Sequence, residues 1–151
     1  MTSAGNTVPM LLIPKPGTNP PLLRTVIDLW ERNKNTYKLM PPLPDMEGML
    51  QCTMSRHFRT ALDLKSAYGQ IQIVPEHVTH SAVTTPDGNM VSHVLQMGDC
   101  NTPAMYQALM NHLFSLCIGQ FMDIYLDDIV IYFDMLEEHV WHVKFILDIL
   151  S

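Results

Sequence analysis

Short apolar runs broken by proline and glycine fill the first half of the chain, and longer helical periodicities fill the second. Met10-Leu11-Leu12-Ile13 and Leu22-Leu23-Arg24-Thr25-Val26-Ile27 flank a segment holding Pro14, Pro16, Gly17, Pro20 and Pro21. They read as two strands joined by a turn. Pro41, Pro42 and Pro44 make a second break, after which residues 45–50 open a short helix. Ile71-Gln72-Ile73-Val74 alternates as a half-buried strand does and stops at Pro75. Pro86-Asp87-Gly88-Asn89 predicts a turn that joins residues 81–84 to residues 90–94 as a hairpin. Asn101 or Thr102 is expected to cap a helix with Pro103 in its first turn, along which Met105, Leu109, Leu113 and Leu116 recur at helical spacing. Two β-prone runs, residues 121–125 and 129–132, flank Leu126-Asp127-Asp128 and predict another hairpin. Asp134-Met135-Leu136-Glu137 resembles a capping box with Asp134 as the cap. Leu136, Val140, Val143, Leu147 and Leu150 then form one apolar helix face. Helices interspersed with hairpins indicate an α+β fold.

Composition narrows the classes. The 151 residues fit one domain, and a hydrophobic content of 47% is enough for a core. Nine Lys and Arg against fifteen Asp and Glu give a net charge of -6. That balance argues against a general nucleic-acid coat, which needs cations to replace counterions. It leaves room for a local basic path or for an acidic site that holds metal ions. Three widely spaced cysteines, Cys52, Cys100 and Cys117, form no CxxC pair and predict neither a disulfide framework nor a Cys-rich zinc site. An intracellular setting follows. The start lacks a basic n-region, and no run approaches the ~20 apolar residues that span a bilayer. Secretion and a membrane partner are not expected.

The chemistry centres on carboxylates. Asp127 and Asp128 are adjacent at the tip of a predicted hairpin, where like charges repel. They are either a solvated turn or a site for a hard cation such as Mg²⁺. Asp63, in Ala61-Leu62-Asp63-Leu64-Lys65-Ser66-Ala67-Tyr68, is either a helix cap or a third ligand. His139 and His142 lie three apart with no clear completing ligand and are expected on the flank of the last helix, while His77 and His80 are expected in a loop. Asp123 shares strand parity with Tyr125 and Asp127, which makes it a candidate outer carboxylate.

Taken together, Leu62-Asp63-Leu64 with Ser66-Ala67-Tyr68, and Tyr125-Leu126-Asp127-Asp128, resemble the two palm motifs of reverse transcriptases, most closely those of Ty3/gypsy-type long-terminal-repeat retrotransposon polyproteins. Arg24-Thr25-Val26-Ile27-Asp28 with Asn33-Lys34 resembles the fingers motif. Asn101-Thr102-Pro103-Ala104-Met105-Tyr106-Gln107 and Leu136-Glu137-Glu138-His139 resemble two later segments, in the right order.

The resemblance implies fingers and a partial palm, truncated before the palm ends and before the thumb. About residues 1–60 would be fingers-like and about 61–151 mostly palm, with a fingers return near 75–97. It implies template-directed addition of dNTPs to a primer 3′-end on RNA or DNA, with Mg²⁺ as cofactor and Mn²⁺ as a substitute. Asp63, Asp127 and Asp128 would be catalytic metal ligands, joined by the backbone carbonyl of Leu64. Arg24, Lys15, Tyr68 and Met97 would contact the dNTP, with Tyr68 as the steric gate against a 2′-hydroxyl. Tyr125, Leu126 and Gln107 would lie near primer and template. Trp30, Met97 and Gln72 depart from the family pattern, which usually has Arg at the first, Gln or Phe at the second and often a basic residue at the third. Two other readings share the fold: an inactive retroelement relic, and an interaction subunit that pairs with the rest of a Pol polyprotein or with another chain.

Overall fold

The computed structural model describes residues 7–40 and 44–151. The chain forms two compact units, each assembled from two separated stretches: residues 1–38 with 68–102, and residues 39–67 with 103–151. Pro41 and Pro42 of the expected proline break lie outside the described residues.

In the first unit, β1 (Val8–Pro14) pairs antiparallel with β2 (Leu23–Ile27), in register from Met10 opposite Ile27 to Pro14 opposite Leu23. This is the strand pair the apolar runs predict. The short helix α1 (Trp30–Lys34) follows. β4 (Val83–Thr85) runs parallel to β1, and β5 (Gly88–Met90) pairs antiparallel with β4, giving the order β2-β1-β4-β5. The hairpin is shorter than the pattern predicts. Ser81 belongs instead to a 3₁₀ helix, Pro75–Ser81, where its hydroxyl accepts from Ser92 N at 2.8 Å. His77 and His80 stack within that helix, with ring centroids 5.7 Å apart, rather than in a loop. The strand expected at residues 71–74 reduces to one bridge, Gln72 opposite Val94, flanked by bonds from Ile73 N to His93 O and from Leu95 N to Ile71 O. Pro75 has no N–H and ends the ladder there.

In the second unit, β3 (Phe58–Asp63), β7 (Asp128–Phe133) and β6 (Met122–Tyr125) form an antiparallel sheet in the order β3-β7-β6. Helix α2 (Met46–Met54) packs on β7 and starts where Asp45 Oδ1 accepts from Glu47 N at 3.1 Å. Helices α3 (Thr102–Leu113) and α4 (Leu136–Leu150) complete the set, with α4 on β3 and β7. Phe114, Met122, Ile129, Ile131 and Ile146 are fully enclosed. Truncating Phe114 to Ala is expected to cost roughly 3–5 kcal/mol.

Both long helices are rotated from the faces the sequence suggests. Met105, Leu109, Leu113 and Leu116 are exposed, whereas Tyr106, Met110, Phe114 and Cys117 are buried. The two stripes differ by one residue, a turn of about 100° on a helix. The buried stripe carries two aromatic rings, which remove more apolar surface from water. In α4, Leu136, Val140 and Leu147 point outward, and His139 and Ile146 are buried. His139 Nε2 lies 2.8 Å from Thr60 Oγ1, and the His142 ring stacks on Phe121 at 3.9 Å between centroids. The two histidines therefore face the sheet rather than the flank, and their polar and ring contacts set the rotation of the helix.

Asp134 does not cap α4, whose N-cap is Met135 with no side-chain bond. Asp134 instead receives a bond from Arg56 Nη1 at 2.6 Å and lies 3.3 Å from His57 Nδ1. That guanidinium holds its carboxyl below the usual range. Helix α3 begins at Thr102, whose hydroxyl donates to Gln96 O at 3.2 Å rather than acting as a cap acceptor. No helix among the described residues is long and apolar enough to cross a membrane.

Candidate active site

The sheet of the second unit brings the palm-motif residues to one end. Register places Asp63 opposite Asp128 and Asp128 opposite Tyr125. Cross-strand partners leave the same face, with Cβ atoms about 5 Å apart. Asp127 stands one residue earlier, in the two-residue turn between β6 and β7. The turn is tied to β3 where Leu64 N donates to Asp127 O at 3.2 Å. Asp63 and Asp128 are exposed. No ion pair occupies any of the three carboxylates among the described residues.

The turn itself is strained. Leu126 has φ +55°, the left-handed region that β-hairpins of this kind usually give to glycine. A non-glycine residue there costs roughly 1–3 kcal/mol. Gln107 opposes the strain. It is only 1% exposed, its Oε1 accepts from Leu126 N at 2.7 Å, and its Nε2 donates to Ile124 O at 3.2 Å. A second bond from Nε2 to Asn111 Oδ1 at 2.8 Å fixes the amide plane. Gln107, expected beside primer and template, is thus enclosed under the hairpin and acts on its backbone. Pattern analysis missed that role. The signal was the hairpin turn with no glycine, which calls for outside support.

Asp123 lies two residues back on the same face, paired with Val130. It is buried, and Tyr132 Oη donates to its Oδ2 at 2.9 Å. Burial pushes the Asp123 carboxyl up, and burial with this bond pushes the Tyr132 phenol up. Asp127 is in the turn, so the parity reading does not extend to it. Asp123 holds a tyrosine inside the unit.

Among the described residues, no three His, Cys, Asp or Glu side chains are grouped so that they could hold a metal ion, Asp63, Asp127 and Asp128 included. That does not conflict with Mg²⁺, which is usually bound by one or two carboxylates plus substrate phosphates. Two of the three aspartates, Asp63 and Asp128, are exposed and opposite each other, which matches that smaller carboxylate count.

The first unit carries Arg24, Lys15, Tyr68 and Met97, the residues expected at a dNTP. Arg24 on β2 lies opposite Ile13, and the bond from Lys15 N to Leu22 O extends that ladder one step. Arg24 and Lys15 thereby share a face, both exposed. Tyr68 is half-buried in the 3₁₀ turn Ala67–Gln70, which follows Ser66 at φ +55°. Met97 is 76% exposed. Trp30 is exposed beneath the Lys34 ammonium at 4.3 Å from its ring centroid.

Residues 13–151 match the family model for reverse transcriptase (RNA-dependent DNA polymerase). The chain is 33% identical over 97% of its length to the transposon Tf2-3 polyprotein of Schizosaccharomyces pombe, of which it covers 11%. It is 28% identical over 83% of its length to a putative enzymatic polyprotein of Cassava vein mosaic virus, of which it covers 19%. The crystal structure of the prototype foamy virus protease-reverse transcriptase aligns over 99% of the chain at 27% identity, with a TM-score of 0.82, and the chain covers 19% of it. It therefore spans under a fifth of the length of these relatives. The chain belongs to the reverse transcriptase family and is a fingers-and-palm domain of the type found in Ty3/gypsy-like retrotransposon polyproteins.

Proposed function

We propose that this chain carries RNA-directed DNA polymerisation, the template-directed addition of dNTPs to a primer 3′-end. The observation that supports it most is the cross-strand pair Asp63 and Asp128 beside Asp127, on a strained turn held by a buried glutamine.

In this reading Asp63, Asp127 and Asp128, with the Leu64 carbonyl, hold two divalent ions, Mg²⁺ or Mn²⁺. Such ions, when bound, supply charge neutralisation at the attacking and leaving oxygens of an in-line displacement. The chain's own work is positioning. Gln107 fixes the hairpin backbone, so the carboxylates need not reorganise as charge develops. Arg24 offers a planar fork, and Lys15 a point charge, to the triphosphate. The Tyr68 ring stands against the sugar and disfavours a 2′-hydroxyl. Met97 packs beside the nucleotide, and Tyr125 and Leu126 beside the primer end. With nine Lys and Arg against fifteen Asp and Glu, few cations face the template phosphates, so affinity for the template is limited and its salt dependence shallow.

Primer extension on an RNA template, with the purified chain, dNTPs and Mg²⁺, tests this. Extension that vanishes in Asp127→Asn supports the reading. No extension from a folded chain transfers the function to a partner-dependent subunit or an inactive relic.

A further inference from the structure

Met97 stands between two anchored residues. On its N-terminal side, the Arg32 guanidinium donates from Nη1 to Gln96 Oε1 at 2.9 Å and from Nη2 to Ala82 O at 3.0 Å. Gln96 completes the link by donating from Nε2 to Ser81 O at 3.2 Å, and its carbonyl accepts from Thr102 Oγ1 at 3.2 Å. On the C-terminal side, Asn33 Nδ2 donates to Gly98 O at 2.9 Å, and Asn33 Oδ1 accepts from Cys100 N at 2.9 Å. Gly98 is at φ +96°, and a Cβ placed there would touch Leu29 Cδ1 at 3.6 Å. Arg32 and Asn33 are neighbours on α1, so one short helix grips the residue before Met97 and the residue after it.

The grip costs the protein desolvation of a cation. Burial lowers the pKa of Arg32, and the charge of Asp99 opposes that effect. A planar fork satisfied by a side-chain amide and a main-chain carbonyl directs the chain as a single hydrogen bond cannot. Met97 itself remains 76% exposed, a flexible thioether on a fixed backbone.

We propose that Arg32 is a positioning residue that sets where Met97 stands, by holding Gln96 against the 81–82 segment. This rests on the reading of Met97 as a nucleotide contact. Arg32 would then act on nucleotide affinity without touching the nucleotide.

The test is a double-mutant cycle on the full chain, read by single-nucleotide incorporation and by hydrogen exchange. Arg32→Ala is expected to release exchange protection in residues 95–101 while the strands of the second unit keep theirs. It should raise KM for dNTP about tenfold with kcat within about twofold. Met97→Ala should raise KM comparably, and the double variant should be little worse than Met97→Ala alone. Arg32→Lys, which keeps the charge and loses the fork, should fall between. Unchanged exchange at 95–101 in Arg32→Ala would overturn the proposal, as would a released segment with KM unmoved, or effects of the two single changes that multiply in the double variant. A wild-type chain that incorporates no nucleotide would sink the polymerase reading instead, while the exchange arm would still decide whether Arg32 holds the segment.

Discussion

The palm hairpin and the Met97 segment are held by different physics. The hairpin rests on a backbone ladder: β7 pairs with β3 from Phe58 opposite Phe133 to Asp63 opposite Asp128, and with β6 on its other side. Beneath it, Met122, Ile129 and Ile131 are fully buried. Residues 95–101 follow an isolated bridge at Val94, make only short main-chain bonds such as Leu95 N to Ile71 O and Asp99 N to Gln96 O, and are held mostly by side chains, chiefly those of Arg32, Asn33 and Gln96. A ladder tolerates many side chains, because its bonds are main-chain bonds. A side-chain clamp fails with a single substitution. The strands that carry Asp63 and Asp128 therefore depend on main-chain bonds, and only the turn between β6 and β7 leans on one side chain, Gln107. The segment with Met97 depends instead on a few side chains.

The largest effect should come from the ladder's end. Asp63→Asn is expected to lower single-turnover incorporation roughly a thousandfold or more, with the thermal midpoint nearly unchanged. A loss of fold instead would mean that Asp63 is structural. Next is Gln107→Leu, which leaves Leu126 N and Ile124 O without their partner. It should cost about 2 kcal/mol of stability and reduce kcat more than it raises KM. A change confined to KM would refute its role under the turn. In the first unit, Tyr68→Ala should cut discrimination between dNTP and rNTP by about tenfold or more, read as a ratio of kcat/KM values.

A smaller effect concerns pH. Burial pushes the His142 imidazole down, assisted by His139 and opposed by Glu138, and its Nδ1 is enclosed with no partner among the described residues. The unfolded chain then binds the proton more readily than the folded one. The contribution is complete above about pH 6.5 and is lost as pH falls through the lower folded-state value. The thermal midpoint should drop on acidification from pH 7.5 to 5, and His142→Phe should flatten that dependence. Smallest of all, Asp134→Ala should barely move the midpoint, because its pair with Arg56 is at the surface.

What the sequence made legible follows the same division. The strand pair β1–β2, the hairpin β6–β7 and helix α2 behind Asp45 were all readable, because periodicity and turn residues govern local structure. The helix faces were not. The apolar stripe on α4 is offset from the docked face because His139 and His142, polar in composition, make the contacts with Thr60 and Phe121. The strand expected at residues 71–74 had the right alternation, but Pro75 removed the donor that would have extended its ladder. Gln107 and Arg32 were invisible as supports, because the segments they hold are 17 to 64 residues away along the chain.

The central claim is that the carboxylates on the β6–β7 turn and the end of β3 support templated polymerisation. Single-turnover addition of one nucleotide, measured against each of the four template bases in Mg²⁺, tests it most directly. The account predicts that only the complementary dNTP is added, and that addition disappears in Asp63→Asn and Asp127→Asn. Addition that ignores the template base, or that survives in either variant, would contradict it.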